Sequence, residues 1–408
     1  MPITKKPAGC RAIAPKRGIR RLAAKGVWNR QKHTKEYASV KYVRHGAAQP
    51  KARHGRGKWA RKINDFVNVE DDTVVTRLLT DGMLPDWSGR LCPHCGEGRL
   101  GSKIRVPLRG WRWRCNRHRS CGKLVVPHHL HPLFAMQSGR STTPFSVQAT
   151  VLFLCICNVK LAKIIQITGL NHKLPEAMYR RLEFARKRYV ERKEKTIVFG
   201  NNKFWKDAEA DEAVFRKASV DDPQGSPDRK MEWGQWAGMR MRDDPKTLVL
   251  WKTNSSLTSK RAPGPGAIKR TDWKPKADYY LKNRKIILHS DSARSYGMKI
   301  EGMLHDRVVH AKKRVKRGGK WVWLKPSFVR VSKHKLPEGG TLKTKAGTQI
   351  IDRTWSTIRR YIGNANVKPG SLRLAAKVRS AQWRIWNTRK DHWLETANMV
   401  KDLMGFEK

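Results

Sequence analysis

Apolar residues recur along the chain with two different periods, and each period predicts its own kind of element. Between about 144 and 195 the spacing is helical. Val147, Val151, Leu154 and Cys155 repeat first, then Leu161, Ile164, Ile165 and Leu170. Residues three and four apart share one face of a helix, so each set predicts an amphipathic helix. Gly169 interrupts the pattern, and Pro175 suits the first turn of a third helix running to about Lys193. That helix carries Tyr179, Arg180, Arg181, Arg186, Lys187 and Arg188. Two short helices, a glycine turn and an Arg-rich helix fit a helix-turn-helix whose last helix enters a major groove. A plain helical linker with a solvated basic face fits the same residues.

From about 200 to 365 the pattern turns to strands. AVFRKASV, MEWGQWAGMRMR and KTLVLWKT are β-rich runs separated by stretches with Asp, Pro, Gly and Ser. A loop from Thr253 to Arg270 leads into a short helical piece, WKPKADYYLKN. KIILHSDSARSY reads as an apolar strand that ends at an acid and turns into a helix. RVVHAKK predicts a further short strand, followed by a long basic loop. Ile351, Trp355, Ile358 and Ile362 lie at i, i+4, i+7 and i+11, one stripe of a last helix with Asp352 in its first turn. Three strands, helix, strand, helix, strand, helix is an order that fits the RNase H-like fold. Trp383, Trp386 and Trp393 follow at a spacing that suits one helix face and are expected in a core.

Charge changes the picture more than length does. The 408 residues hold 88 Lys plus Arg against 33 Asp plus Glu, a net charge of +55. A compact body at that charge repels itself unless a polyanion neutralises it, so nucleic acid is the expected partner. An acidic solvating protein is excluded, whereas a packing protein of ribosomes or chromatin is not. With 39% hydrophobic residues and 16 Trp, the chain has enough apolar surface for real cores and is not merely a basic tail. Residues 1 to about 64 hold nineteen Lys or Arg and one acid, Glu36, which predicts a basic arm that grips phosphates without reading sequence. No secretory signal is expected at MPITKKPAGC. The most apolar stretch, Val147 to Val159, is 13 residues, too short to span a bilayer as a helix.

Seven cysteines are present, and four fall in one short segment: Cys92 and Cys95 as a CxxC pair, then Cys115 and Cys121. A CxxC turn presents two thiolates together, and a second pair closes a tetrahedral zinc site across a short hairpin. The run from Trp111 to Trp113 suits a strand leading into that second pair. Zinc would hold a module of about 40 residues that apolar burial alone could not stabilise. The five residues between Cys115 and Cys121 exceed the usual gap, and His118 among them is an alternative ligand. Cys155 and Cys157 read as small buried apolar residues; Cys10 carries no signal.

In a chain so poor in acids, carboxylates inside apolar runs need explaining. Asp211, in ADEAVF, stands at the start of the first predicted strand, with Asp207, Glu209 and Glu212 as rivals. Asp291 ends the fourth strand, and Asp352 opens the last helix. In an RNase H-like sheet these three places meet at one edge. Three carboxylates there can hold two Mg²⁺ (or Mn²⁺) ions, since hard cations take oxygen ligands. Taken singly, Asp352 also fits a helix N-terminal charge and Asp291 a capping residue.

The chain resembles the Merlin superfamily of cut-and-paste DNA transposases and their ISXO-type insertion-sequence relatives, over about residues 86 to 365. The resemblance rests on Cys92/Cys95 with Cys115/Cys121, on ADEAVF, LHSDSARSY, His310 in VVHAKK, and GTQIIDRTWSTIRRY. It implies a zinc ribbon over 86–126 and a helical DNA-binding region over 127–195, and the charge pattern predicts a basic, largely disordered arm over 1–85 ahead of them. A DDE nuclease domain over 196–365 and a basic helical segment over 366–408 would follow. Asp211, Asp291 and Asp352 match the catalytic triad and would hold two Mg²⁺; the four cysteines would hold one Zn²⁺. Arg180, Arg181, Lys187, Arg353, Arg359 and Arg360 are the side chains expected on DNA, with His118 and His310 auxiliary.

Three features depart from the family pattern. The third acid is Asp where bacterial relatives carry Glu or Asn, the Gly-Gly after the first motif is replaced by FRKASVDD, and the wide Cys115–Cys121 gap looks more like the eukaryotic branch. The resemblance further implies double-stranded DNA partners (transposon ends and target), a homodimer or higher assembly in synapsis, and no membrane. Location would be nuclear in a eukaryote, otherwise cytoplasm or nucleoid. Two alternatives stay open: a catalytically inactive, domesticated DNA-binding derivative, and a structural RNA-binding protein of ribosomal type.

Overall fold

Acidic residues start helices here, and the first of them shows how. In the computed structural model, which describes residues 59–107, 109–134, 143–225, 228–254, 257–309, 313–324, 328–337 and 339–406, α1 spans Asp71–Asp81. Asp71 and Asp72 sit in its first turn, where the helix dipole favours negative charge. The Asp71 carboxylate also accepts the backbone N–H groups of Phe145 and Ser146 at 3.0 and 2.9 Å, which caps α2 (Phe145–Ile156). Between them lies a small antiparallel sheet of β1 (Leu100–Val106), β2 (Gly110–Cys115) and β3 (Leu124–Val125). Next come α3 (Leu161–Thr168), ended by Gly169, and α4 (Lys173–Lys193).

The main sheet begins with β4 (Lys206–Val220), β5 (Lys230–Met241), β6 (Val249–Lys252) and the short β7 (Leu257–Ser259). It continues after α5 (Arg270–Leu281) with β8 (Ile286–Ser290) and β9 (Met303–Arg307). The order is β6-β5-β4-β8-β9, with β7 paired to β5. The first three strands run antiparallel, whereas β8 is parallel to both β4 and β9. Two hairpins follow, β10 (Lys313–Arg317) with β11 (Lys320–Leu324), and β12 (Arg330–Lys335) with β13 (Thr341–Ala346). Helices α6 (Gln349–Ile362), α7 (Leu372–Trp386) and α8 (His392–Met404) complete the described chain, a mixed α/β fold with eight helices. None of those helices is long and apolar enough to cross a membrane.

The two-residue period of β4 sorts its side chains between two cores. Ala208 and Ala210 pack with Met239, Leu288 and the α5 residues Trp273 and Ala277. Ala213 and Phe215 face the other way, with Trp236, Leu250 and the α6 residues Ile351 and Trp355. That second core continues without a break through α1, α2, α4, α7 and α8. Several expectations change accordingly. Residues 59–85 are not a disordered arm, because Phe66, Val74, Val75 and Leu78 are buried there; residues 1–58 lie outside the described part. The segment after 366 is no separate appendage either, since its helices share the core of the 127–195 region. Arg186 of α4 is fully buried, its guanidinium 4.2 Å over Trp383, where burial lowers its pKa to about 10. Trp383, Trp386 and Trp393 are core residues, but on two helices rather than one.

Local predictions shift at five further points. Asp211 sits within β4 and not at its start. No helix follows β8: residues 294–297 form a turn, held by the Tyr296 hydroxyl on Glu212 (2.5 Å) and the Ser295 hydroxyl on the Ile268 carbonyl (2.5 Å). The predicted long basic loop instead folds into hairpins, the first because Gly318 and Gly319 both take the positive φ (54° and 77°) that a two-residue hairpin turn requires. The strand expected at RVVHAKK is β9, which ends at Arg307, the first residue of that run, and Cys157, expected buried, is exposed at the end of α2.

One buried carboxylate ties β4 to α6. Glu209 Oε2 accepts the N–H groups of Ile350 and Ile351 at 2.7 and 2.9 Å, while Oε1 accepts from Arg242 Nε at 2.7 Å. Arg242 also donates to the carbonyls of Lys345 and Gly347, at 2.9 and 2.7 Å. The N-cap residue Thr348 makes no side-chain capping bond, so Glu209 caps α6 from the sheet. Replacing Glu209 with Ala removes the acceptor of the Ile350 and Ile351 N–H groups and leaves buried Arg242 with the more distant Asp207 carboxylate at 3.8 Å, and is expected to cost about 3–5 kcal/mol in urea unfolding. A loss below about 1 kcal/mol would show that α6 does not depend on this clamp.

Candidate functional site

The clearest site is the four-cysteine cluster at the small sheet. Leu91 bridges to Arg99, and the Cys92 N–H donates to the Gly98 carbonyl at 2.6 Å, closing a tight turn around Cys92 and Cys95. The Gly98 N–H lies 3.4 Å from the Cys95 sulfur, a contact that favours its thiolate. A Cβ at Gly98 would stand 2.4 Å from Cys115 Sγ, so only glycine lets the turn approach β2 this closely. Cys115 ends β2, and Cys121 returns to it because its N–H and that of Gly122 both donate to the Arg117 carbonyl. The wide gap is taken up by that turn.

Cys92 and Cys121 sulfurs are 3.9 Å apart, those of Cys95 and Cys115 are 3.8 Å apart, and all four lie within 4.8 Å of one another. Tetrahedral zinc with Zn–S of about 2.3 Å requires sulfurs about 3.8 Å apart. The cluster fits a metal such as zinc. Burial pushes the Cys115 thiol up to about 11, so metal binding would displace protons. His118 is exposed and outside the group, which corrects its candidacy as a ligand. Trp87, Leu100, Trp113 and Val125 form the small core around the cysteines.

A second group of acids lies at the edge where β4, β8 and α6 meet. Asp207 pairs with Ile287 and Glu209 with His289, a constant offset of 80 positions, so Asp211 stands level with Asp291, one residue past the end of β8. Asp211 Oδ2 accepts from Trp355 Nε1 of α6 at 3.0 Å. Asp352 is in the first turn of the same helix, exposed, and accepts from the Thr348 hydroxyl at 3.1 Å. Asp291 is half-buried and accepts from the Ala293 N–H at 2.9 Å. Burial, then the negative charges of Glu212, Asp352 and Asp291, push the Asp211 carboxyl up to about 8. Among the described residues, the cysteines are the one group whose ligand atoms all converge within 4.8 Å; the three aspartates are spread more widely.

The rivals of Asp211 have other partners. Asp207 accepts from His289 Nε2 at 2.8 Å, deep in the sheet, and Glu209 is held by α6 and Arg242. Glu212 points to the opposite face, where it accepts from Tyr296 and from the Ile268 N–H at 3.3 Å. Sequence reasoning missed Tyr296 and the clamp. The alternation of acids at 207, 209 and 211 was the available signal, since it places all three on one face of a strand.

The residues expected on DNA divide. Arg180, Arg359 and Arg360 line one groove of about 820 Å³ between α4, α6 and α7, together with Arg373 and Lys377. Arg359 and Arg360 lie roughly 10 Å along α6 from Asp352, at about 1.5 Å per residue. Arg353 is exposed in the first turn of α6. Arg181 is half-buried, and Lys187 pairs with Glu191 at 2.7 Å; neither lines the groove. His310 lies outside the described residues. No family model matches the chain, and no curated protein or solved structure matches it.

Two outcomes follow from these geometries. The purified chain should carry about one zinc per molecule. Cys92→Ser should release it and redshift the fluorescence of Trp113; full zinc content in that variant would exclude the cluster as the site. Because Asp211 binds its proton more tightly in the folded state, metal-free stability should fall as pH rises from about 4 to about 8. Asp211→Asn cannot ionise, so its melting temperature should exceed the unmutated protein's above about pH 8, the gap closing towards pH 4. Identical profiles would show that the Asp211 carboxylate is not destabilised by its burial and its neighbours.

Proposed function

We propose that the protein cuts and joins DNA strands as a DDE/D transposase, with Asp211, Asp291 and Asp352 as the catalytic carboxylates of an RNase H-like domain. The observation that carries the reading is the placement of these acids. Asp211 lies on β4 level with Asp291, one residue past the end of the parallel strand β8, and Asp352 of α6 is close enough to help raise the Asp211 pKa. The strand order β6-β5-β4-β8-β9, antiparallel for three strands and parallel thereafter, is the order of that fold class. The likeness of the sequence motifs to Merlin and ISXO-type transposases points the same way.

Magnesium or manganese ions, when bound, would activate the attacking water or 3′-hydroxyl and stabilise the leaving oxygen. The donor set fits hard cations, being carboxylate oxygen throughout. A carboxyl pushed up to about 8 by burial and by its negative neighbours is one that a divalent cation would ionise, which relieves the repulsion among the acids. Trp355 fixes the Asp211 carboxylate from α6, and Glu209 fixes α6 itself. The groove with Arg180, Arg359 and Arg360 would hold phosphates of duplex DNA, and the zinc-binding module would help to bind the terminal repeats. Such phosphate contacts carry affinity but no sequence information.

The test is Mg²⁺-dependent nicking of DNA ends taken from the sequence flanking the gene, with any inverted repeats found there, run beside Asp291→Ala. Nicking by the unmutated chain should fall to background in the variant. Equal nicking by both would remove the triad from the reaction. DNA binding without any nicking would mark an inactive derivative on the same scaffold.

A further inference from the structure

Between β9 and α6, in the chain between Asp291 and Asp352, the β10–β11 hairpin pairs with no other strand among the described residues. Its register sets Arg314 opposite Trp323 and Lys316 opposite Trp321. Directly opposed residues of an antiparallel pair share a face, and so do residues two apart. Arg314, Lys316, Trp321 and Trp323 therefore occupy one face. Trp321 is 57% exposed and Trp323 62%, while Trp113, Trp205, Trp273, Trp355, Trp383 and Trp393 are all less than 3% exposed. The Arg314 guanidinium lies 5.1 Å from the Trp321 ring and 6.0 Å from the Trp323 ring. Cation–π attraction of this kind steadies both indoles without covering them.

From 313 to 335 the sequence has nine Lys or Arg and no Asp or Glu. Exposed indoles on a protein surface mark a binding site, and the charge selects its occupant. A second copy of a chain at +55 would be repelled, whereas a polyanion is attracted. Flat aromatic faces among cations are complementary to bases flanked by phosphates. A base inside a duplex offers no free face, so the ligand must be unpaired. We propose that the β10–β11 hairpin binds single-stranded DNA, with Trp321 and Trp323 stacking on successive unpaired bases and Arg314 and Lys316 contacting the adjoining phosphates. Stacking of this kind is tolerant of sequence, because every base has a π face. This binding role rests on the reading of the chain as a DNA-processing protein only for the choice of DNA as the nucleic acid.

The test uses the full chain with fluorescein-labelled 20-nucleotide single strands and blunt duplexes of the same sequence, followed by anisotropy. Trp321→Ala with Trp323→Ala should weaken single-strand binding by about thirtyfold and duplex binding by less than about threefold. Trp321→Phe with Trp323→Phe should restore single-strand binding to within about threefold, since the rings are retained. A single strand containing 2-aminopurine should lose fluorescence on the unmutated protein and the Phe pair, but not on the Ala pair. Equal losses on both DNA forms, unchanged single-strand affinity, or a change of oligomeric state with DNA binding intact would each overturn the proposal. Its outcome is separable from that of the nicking assay: stacking without nicking leaves the hairpin's role standing and removes the catalytic reading.

Discussion

Glu209 bonded to the start of α6 is the interaction on which the carboxylate edge depends. A helix N-terminus leaves backbone N–H groups without partners, and a buried one must find acceptors outside the helix. Here the acceptor is a side chain of the sheet's central strand, and its charge is balanced by Arg242, which also gathers the carbonyls of Lys345 and Gly347. The position of α6 over β4 is thereby set by hydrogen bonds as well as by the packing of Ile351 and Trp355. Two residues along the same strand face, Asp211 meets Trp355. The strand's alternation and the helix's first two turns are thus locked in register, and Asp352 has one place to be.

The few acids of a chain at +55 have two kinds of surroundings. Most are helix caps or partners of basic groups. Asp391 caps α8, Asp81 joins Arg61 to Trp393, Glu194 accepts from Arg379 and Gln382, and Asp402 is paired with Lys193. Scarcity alone therefore does not mark a carboxylate as a metal ligand. What sets Asp211 apart is burial joined by repulsion: desolvation, then the negative charges of Glu212, Asp352 and Asp291, raises its carboxyl, whereas Asp306 is held low by His289 and His334 despite its burial. Like charges brought together at a buried position are unfavourable for folding.

The two metal-ligating candidates also differ in how they are built. The cysteines are drawn together by local chain turns within 30 residues, and the sulfurs already stand at zinc-like separations. The aspartates come from elements up to 141 positions apart and are assembled only by the sheet and α6. Short-range geometry is legible in a spacing pattern; long-range geometry is legible only if the strand order is known.

Periodicity and composition alone determined the helices α2, α3 and α4, the strands β4 to β6 and β8, the cysteine cluster and the basic character of the whole. These follow from backbone period, turn residues and net charge, each a property of neighbouring positions. The tertiary structure decided what neighbouring positions cannot express. It buried Arg186 over Trp383, although an Arg-rich helix reads as exposed, because α7 supplies an aromatic face 197 positions away. It folded residues 71–81 into the core, where Val74, Val75 and Leu78 are buried and Asp71 caps α2. It turned the stretch after Asp291 away from helix because Tyr296 found Glu212. And it separated Asp207, Glu209 and Asp211, identical in alternation and similar in chemistry, into a histidine partner, a helix clamp and a repelled acid. The physical reason is common to all four: a side chain's role is set by the partner that reaches it, and the partner is chosen by the fold.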